Sequence, residues 1–153
     1  MIDLRRREEL MFGQQGYYIE DLSEGMEASF SKTVTEADIV LFAGVSGDTN
    51  PVHIDEEAAK KSVFEGRIAH GMLTASYLST VLGTRLPGPG CIYLSQSLRF
   101  KGPVRIGDTV TAIVRVREIM TSKKRVILET LCQVRGKDVL DGEATVMVSS
   151  RDQ

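Results

Sequence analysis

Apolar and polar positions change period twice along this chain. Ala28, Phe30 and Lys32 alternate with more polar neighbours, which predicts an opening strand. Thr35 then reads as a helix N-cap, with Asp38 three residues on as a variant of the capping box. Behind it Ala37, Val40, Leu41, Gly44 and Val45 recur at helical spacing. Ser46 to Ile54 reads as a loop, since Gly47, Asp48, Asn50 and Pro51 favour turns or cannot continue a helix. Asp55 can cap a short helix running through Lys61, and a second loop, Phe64 to His70, leads into Gly71.

Met72 to Leu82 is apolar on nearly every side and predicts a helix buried all round, ended by Gly83 and the Pro87 to Gly90 run. From there the period becomes two. Ile92 to Phe100, Val110 to Val116, Val126 to Val134 and Glu143 to Val148 predict four strands. Turns at Lys101 to Asp108, Met120 to Lys124 and Arg135 to Gly142 separate them, and the short connections favour antiparallel pairing as a meander. One buried helix beside a curved antiparallel sheet is an α+β arrangement. Residues 1–17 are weakly patterned and expected to form an arm, with residues 18–150 as the single domain.

Composition narrows the function. The chain has 153 residues, 42% hydrophobic and 26% charged, as expected of an ordinary globular domain. Its 19 basic and 21 acidic residues nearly balance, which argues against nucleic acid as the main partner. No segment is apolar for the length of a membrane span. Two cysteines, Cys91 and Cys132, are too few for a disulfide scaffold, so a cytoplasmic protein with free thiols is expected. Only His53 and His70 can supply imidazole chemistry at neutral pH.

Those histidines lie in the two loops flanking the helical middle. Ser46-Gly47-Asp48-Thr49-Asn50-Pro51-Val52-His53 puts a carboxylate and an imidazole five residues apart on a curved segment, where both can hold one water. Asn50 can bond nearby backbone and fix the loop. Gly71 stands where a helix begins, so its amide is a candidate donor to a carbonyl gaining charge. The same glycine would equally serve tight packing. His70 can act as ligand or base, or orient its own loop. Asp48, Asp55, His53 and His70 show no familiar metal-ligand spacing, and neither Ser46 nor Ser79 sits in a nucleophile elbow.

Ser46 to His53, with Ile68-Ala69-His70-Gly71-Met72-Leu73 following, resembles the hydratase motif and helix entry of MaoC-like (R)-specific enoyl-CoA hydratases. The likeness continues through Leu86 to Gly90, Tyr93 to Phe100 and Pro103 to Asp108. It implies a hot-dog fold, an antiparallel sheet wrapped around one long helix, and a homodimer or larger homo-oligomer joined sheet edge to edge. It also implies a hydro-lyase of fatty acid metabolism that takes an acyl-CoA thioester and needs neither cofactor nor metal. In such an enzyme Asp48 and His53 would activate water, Gly71 N–H would hold the thioester oxygen, Asn50 would position the loop, and Ser79 would stand near the pair. The alternatives are a 3-hydroxyacyl-[acyl carrier protein] dehydratase using the same residues, or a non-catalytic acyl-thioester-binding subunit.

Overall fold

Thr35 opens the first long helix as its position predicts. In a computed structural model describing residues 15–152, its hydroxyl accepts from Asp38 N while Asp38 accepts from Thr35 N, closing a capping box at the start of α1 (Glu36–Ser46). Two single-turn helices follow, α2 (Pro51–Ile54) and α3 (Glu56–Ala59), and then the long α4 (Gly71–Thr84). Five strands complete the fold: β1 (Glu27–Thr33), β2 (Ile92–Phe100), β3 (Thr109–Met120), β4 (Arg125–Val134) and β5 (Lys137–Met147). They form one antiparallel sheet in the order β1-β3-β4-β5-β2. Most of the arm expected over residues 1–17 lies outside the described residues. Its end runs beside the turn after α4, where Gly16 N donates to Pro89 O and Tyr17 N to Pro87 O.

Period-two alternation gives the sheet its two faces. Val110, Ala112, Val114 and Val116 on β3, and Val126, Leu128, Cys132 and Val134 on β4, turn toward α4 and are buried. On α4 they meet Leu73, Leu78, Val81 and Leu82. Each valine or leucine among them removed from water contributes roughly 1.5–3 kcal/mol before conformational entropy is counted. Tyr77 packs edge-on to Phe30 at 6.1 Å, and burial pushes its hydroxyl up to about 12. The opposite sheet face carries ion pairs, among them Arg115 with Glu27 and Glu129, and Arg117 with Glu143.

Several expectations need correction. The inward side of α1 is Asp38, Ile39, Phe42 and Ala43, while Val40, Leu41 and Val45 face solvent, Val45 at 89% exposure. Specific contacts set that rotation: Asp38 pairs with Lys32 of β1 at 2.8 Å, and Phe42 meets the His70 ring at 4.8 Å. The long helix is buried on one side only, because the sheet wraps part of its circumference; Met72, Ser76 and Ser79 are exposed. Strands β3 to β5 form the expected meander, but β2 pairs with β5 at the far edge rather than with β3.

The supposed turn from Arg135 to Gly142 is only two residues long. Arg135 and Gly136 take φ of +50° and +74°, the left-handed pair a tight hairpin needs, and β5 begins at Lys137. Gly142 lies inside β5, where a Cβ would stand 1.8 Å from Ser97 O. Its glycine reflects close strand packing rather than a turn. The loop before α3 also contains a helical turn, since Asn50 Oδ1 accepts from Val52 N and Pro51 takes the first helical position.

Candidate active site

The segment from α1 to α2 is built by short-range capping, which places Asp48 and His53 side by side. Gly47 ends α1 with φ of +78°, its N–H closing on Ala43 O at 2.9 Å. Ser46 Oγ donates to Phe42 O at 2.6 Å and accepts from Asp48 N at 3.1 Å, turning the chain out of the helix. Asp48 Oδ1 accepts from Asn50 N at 3.2 Å, an Asx turn, and His53 N donates to Asn50 O at 2.9 Å. The chain thus doubles back within five residues.

His53 is 8% exposed, and its Nδ1 lies 2.9 Å from Ile68 O. A carbonyl only accepts, so Nδ1 carries the hydrogen, and in the neutral ring Nε2 keeps the lone pair. His70 is 1% exposed, with Nε2 2.9 Å from Asp48 O, so by the same logic its Nε2 donates. Its Nδ1 is buried without a partner among the described residues. The two rings stack at 3.9 Å. His70 therefore fixes the backbone of the Asp48 loop, the orienting role weighed for it, and also supports the His53 ring.

His70 is the N-cap of α4, and its carbonyl accepts from Leu73 N at 3.1 Å and Thr74 N at 3.3 Å. Those are the first bonds of the helix, and the amides of Gly71 and Met72 have no hydrogen-bond acceptor among the described residues. The packing role weighed for Gly71 is present as well: a Cβ there would stand 2.6 Å from Phe100 Cε1. Asp48, His70 and Gly71 border a cavity of about 540 Å³. Phe64, Ile68, Met72, Phe100, Val104 and Leu140 form much of its apolar wall. Periodicity gives no sign of this wall, because it is assembled from two loops, the start of α4 and the facing ends of β2 and β5.

Ligand atoms of Asp48, His53 and His70 all lie within 4.8 Å of one another. A water with hydrogen bonds of about 2.8 Å can bridge acceptors at that spacing. A metal fits less well. Imidazole lone pairs lie in the ring plane, and rings stacked at 3.9 Å and 29° from parallel do not aim at one point about 2 Å from both. Ser79 is not brought to this cluster. It lies eight residues beyond Gly71, about 12 Å along the helix at 1.5 Å per residue, on the exposed side. Nor is it tied back to the helix: Ser76, Thr80 and Thr84 bond carbonyls of the preceding turn, whereas Ser79 Oγ has no such bond among the described residues.

An antiparallel sheet wrapped around one long helix defines a hot-dog protein, and here a carboxylate and two imidazoles cluster near the start of that helix. The chain belongs to the MaoC-like domain family, whose pattern matches residues 20–137. It is 60% identical to the (R)-specific enoyl-CoA hydratase of Rhodospirillum rubrum over 135 residues, 88% of this chain and 94% of that protein. It is 46% identical to the 3-hydroxybutyryl-CoA dehydratase of Methylorubrum extorquens, over 89% of this chain and 87% of that protein. Among solved structures, the unliganded R-hydratase PhaJ1 from Pseudomonas aeruginosa superimposes with a TM-score of 0.84 at 42% identity, covering 89% of this chain and 88% of that chain.

Proposed function

We propose that this protein is a hydro-lyase that adds water reversibly to a trans-2-enoyl-CoA to give the (R)-3-hydroxyacyl-CoA. The observation that carries the reading is the clustering of Asp48 and His53 with His70 within 4.8 Å, where Asp48, His70 and Gly71 border one apolar cavity. Likeness to the R. rubrum hydratase supports the substrate class and the (R) product. The thioester lies with its oxygen at the Gly71 N–H and its acyl chain along Ile68, Met72 and Leu140. A water held between Asp48 and His53 loses a proton to the pair and forms its C–O bond at Cβ. The electrons of the double bond move toward the thioester carbonyl, and the amide stabilises the developing enolate oxygen. A proton from the pair then returns to Cα, so one water is consumed and the side chains end as they began.

The thioester itself makes the α-proton acidic, so this chemistry calls for no metal or redox cofactor. We also propose a homodimer. The outer edge of β2 has no partner strand among the described residues, and Ile92, Tyr93, Leu94 and Phe100 are exposed along it. A second copy covering that edge removes an aggregation hazard. Ser79 lies on the open side of α4. Cys91 and Cys132 are free thiols, which suits a cytoplasmic setting; no helix among the described residues is long and apolar enough to cross a membrane.

The test is loss of the conjugated enoyl absorbance of crotonyl-CoA and longer homologues, with chiral analysis of the product. Asp48→Asn and His53→Ala should each cut turnover about a hundredfold or more. The same acyl group on acyl carrier protein is run alongside; faster turnover there would move the assignment to the carrier-protein dehydratase. Folded protein that is inert on every enoyl-CoA would overturn the reading.

A further inference from the structure

His53 is secured twice, at its ring and at its own carbonyl, and the second hold comes from a residue outside the chemistry described above. Arg67 lies in the segment just before His70, with its side chain 14% exposed. Its Nε donates to His53 O at 2.6 Å. The other two guanidinium nitrogens reach Glu36, the first residue of α1, as a fork: Nη1 to Oε2 at 2.8 Å and Nη2 to Oε1 at 3.0 Å. Its backbone N–H donates to Glu56 Oε2 at 3.3 Å. Next to it, Ile68 N donates to Val52 O at 3.2 Å, and Ile68 O holds the His53 ring.

We infer that Arg67 is a positioning residue for the hydration reaction, setting where the His53 imidazole stands relative to Asp48. Asp48 hangs from the end of α1, and His53 rides on α2. Within the chain, the guanidinium joins the start of α1 to the end of α2, closing the loop that carries both groups. A planar fork with a third donor is needed, because one cation must satisfy a carbonyl and two carboxylate oxygens at fixed angles. Lysine supplies the charge but not that geometry. The inference rests on Asp48 and His53 being the reacting pair.

Arg67→Met, Arg67→Lys and Glu36→Gln are assayed on crotonyl-CoA for kcat and KM, with thermal midpoints, and Arg67→Met is also placed in the His53→Ala background. A misplacement of about 1 Å in a catalytic group costs up to about a hundredfold. Arg67→Met is therefore expected to lower kcat about ten- to a hundredfold with KM within about twofold. Arg67→Lys should fall nearly as far and Glu36→Gln less. In the His53→Ala protein the Arg67 change should remove nothing further, because its effect runs through the missing ring; a merely structural role would still depress the residual rate. Unchanged kcat in all three single variants, a loss carried by KM alone, or the same fold-loss in the His53→Ala background would each overturn the inference. If Arg67→Met does not fold, full kcat in both Arg67→Lys and Glu36→Gln overturns it. Near-normal turnover in His53→Ala alone would instead defeat the proposed catalytic pair, so the two failures are told apart.

Discussion

Gly71→Ala separates the two roles of that glycine. The substitution keeps the backbone amide that is proposed to hold the thioester oxygen, but its methyl would stand 2.6 Å from Phe100 Cε1 and 2.8 Å from Cδ1. Comfortable carbon contacts begin at about 3.5 Å, so the ring must retreat by about 0.9 Å. The clash is with side-chain ring atoms of Phe100 rather than with backbone, which limits the cost in stability. Alanine is also the better helix residue by roughly 0.5–1 kcal/mol, offsetting much of that cost. The catalytic cost is another matter, because Phe100 and Gly71 both border the cavity and the displaced ring shifts into substrate space. The expected result is a thermal midpoint within a few degrees of wild type and kcat/KM on crotonyl-CoA at least tenfold lower, about 1.4 kcal/mol of transition-state stabilisation. Gly71→Ala with Phe100→Leu should recover most of the loss. An unchanged kcat/KM in the single variant, or no recovery in the double, would refute the argument.

Two further outcomes follow from packing and charge. Gly142→Ala would bring a Cβ to 1.8 Å from Ser97 O, a backbone atom that cannot rotate away, so urea unfolding should show a loss of about 3 kcal/mol or more, or no folded protein at all. The Lys32 ammonium beside Asp38 holds that carboxyl below its ordinary 3.8, so the charged form contributes stability above that range and the contribution fades as pH falls through the lowered pKa. Asp38→Asn should therefore cost about 1 kcal/mol near pH 7, partly through the lost capping partner, with the gap to wild type closing as acid titration carries the carboxyl through its lowered pKa.

Much of this molecule is legible in its sequence where the cause is local. The Thr35 capping box, the Asx and proline signals from Asp48 to Pro51 and the alternation of Val126 to Val134 act over a few residues, and each produces what its spacing predicts. Asp48, Asn50, His53 and Gly71 stand out as candidates for the same reason, since two short loops carry them. What was not legible depends on contacts between distant parts of the chain. The outward turn of Val40, Leu41 and Val45 follows from where Lys32 and His70 sit. Gly142 resembles a turn residue until Ser97 is placed against it. Arg67 has no local signature at all, because its partners Glu36 and His53 lie 31 and 14 residues away. Ser79 came from resemblance, and the single chain does not bring it to the site.

The pairing of β2 with β5 bears on how the protein is made. Phe100 meets Leu140 across that pairing, and both border the cavity. A ribosome releases α1, α2 and the start of α4 early, with Asp48, His53 and Gly71 already in place along the chain. β2 emerges next but must wait through β3 and β4 for its partner. Such long-range pairing is slow relative to local helix formation, so the nascent chain carries these candidate groups for some time without the pocket beside them. Only when β5 joins does the cavity gain its far wall, so the pairing of β5 with β2 is the step that completes the pocket beside the loop.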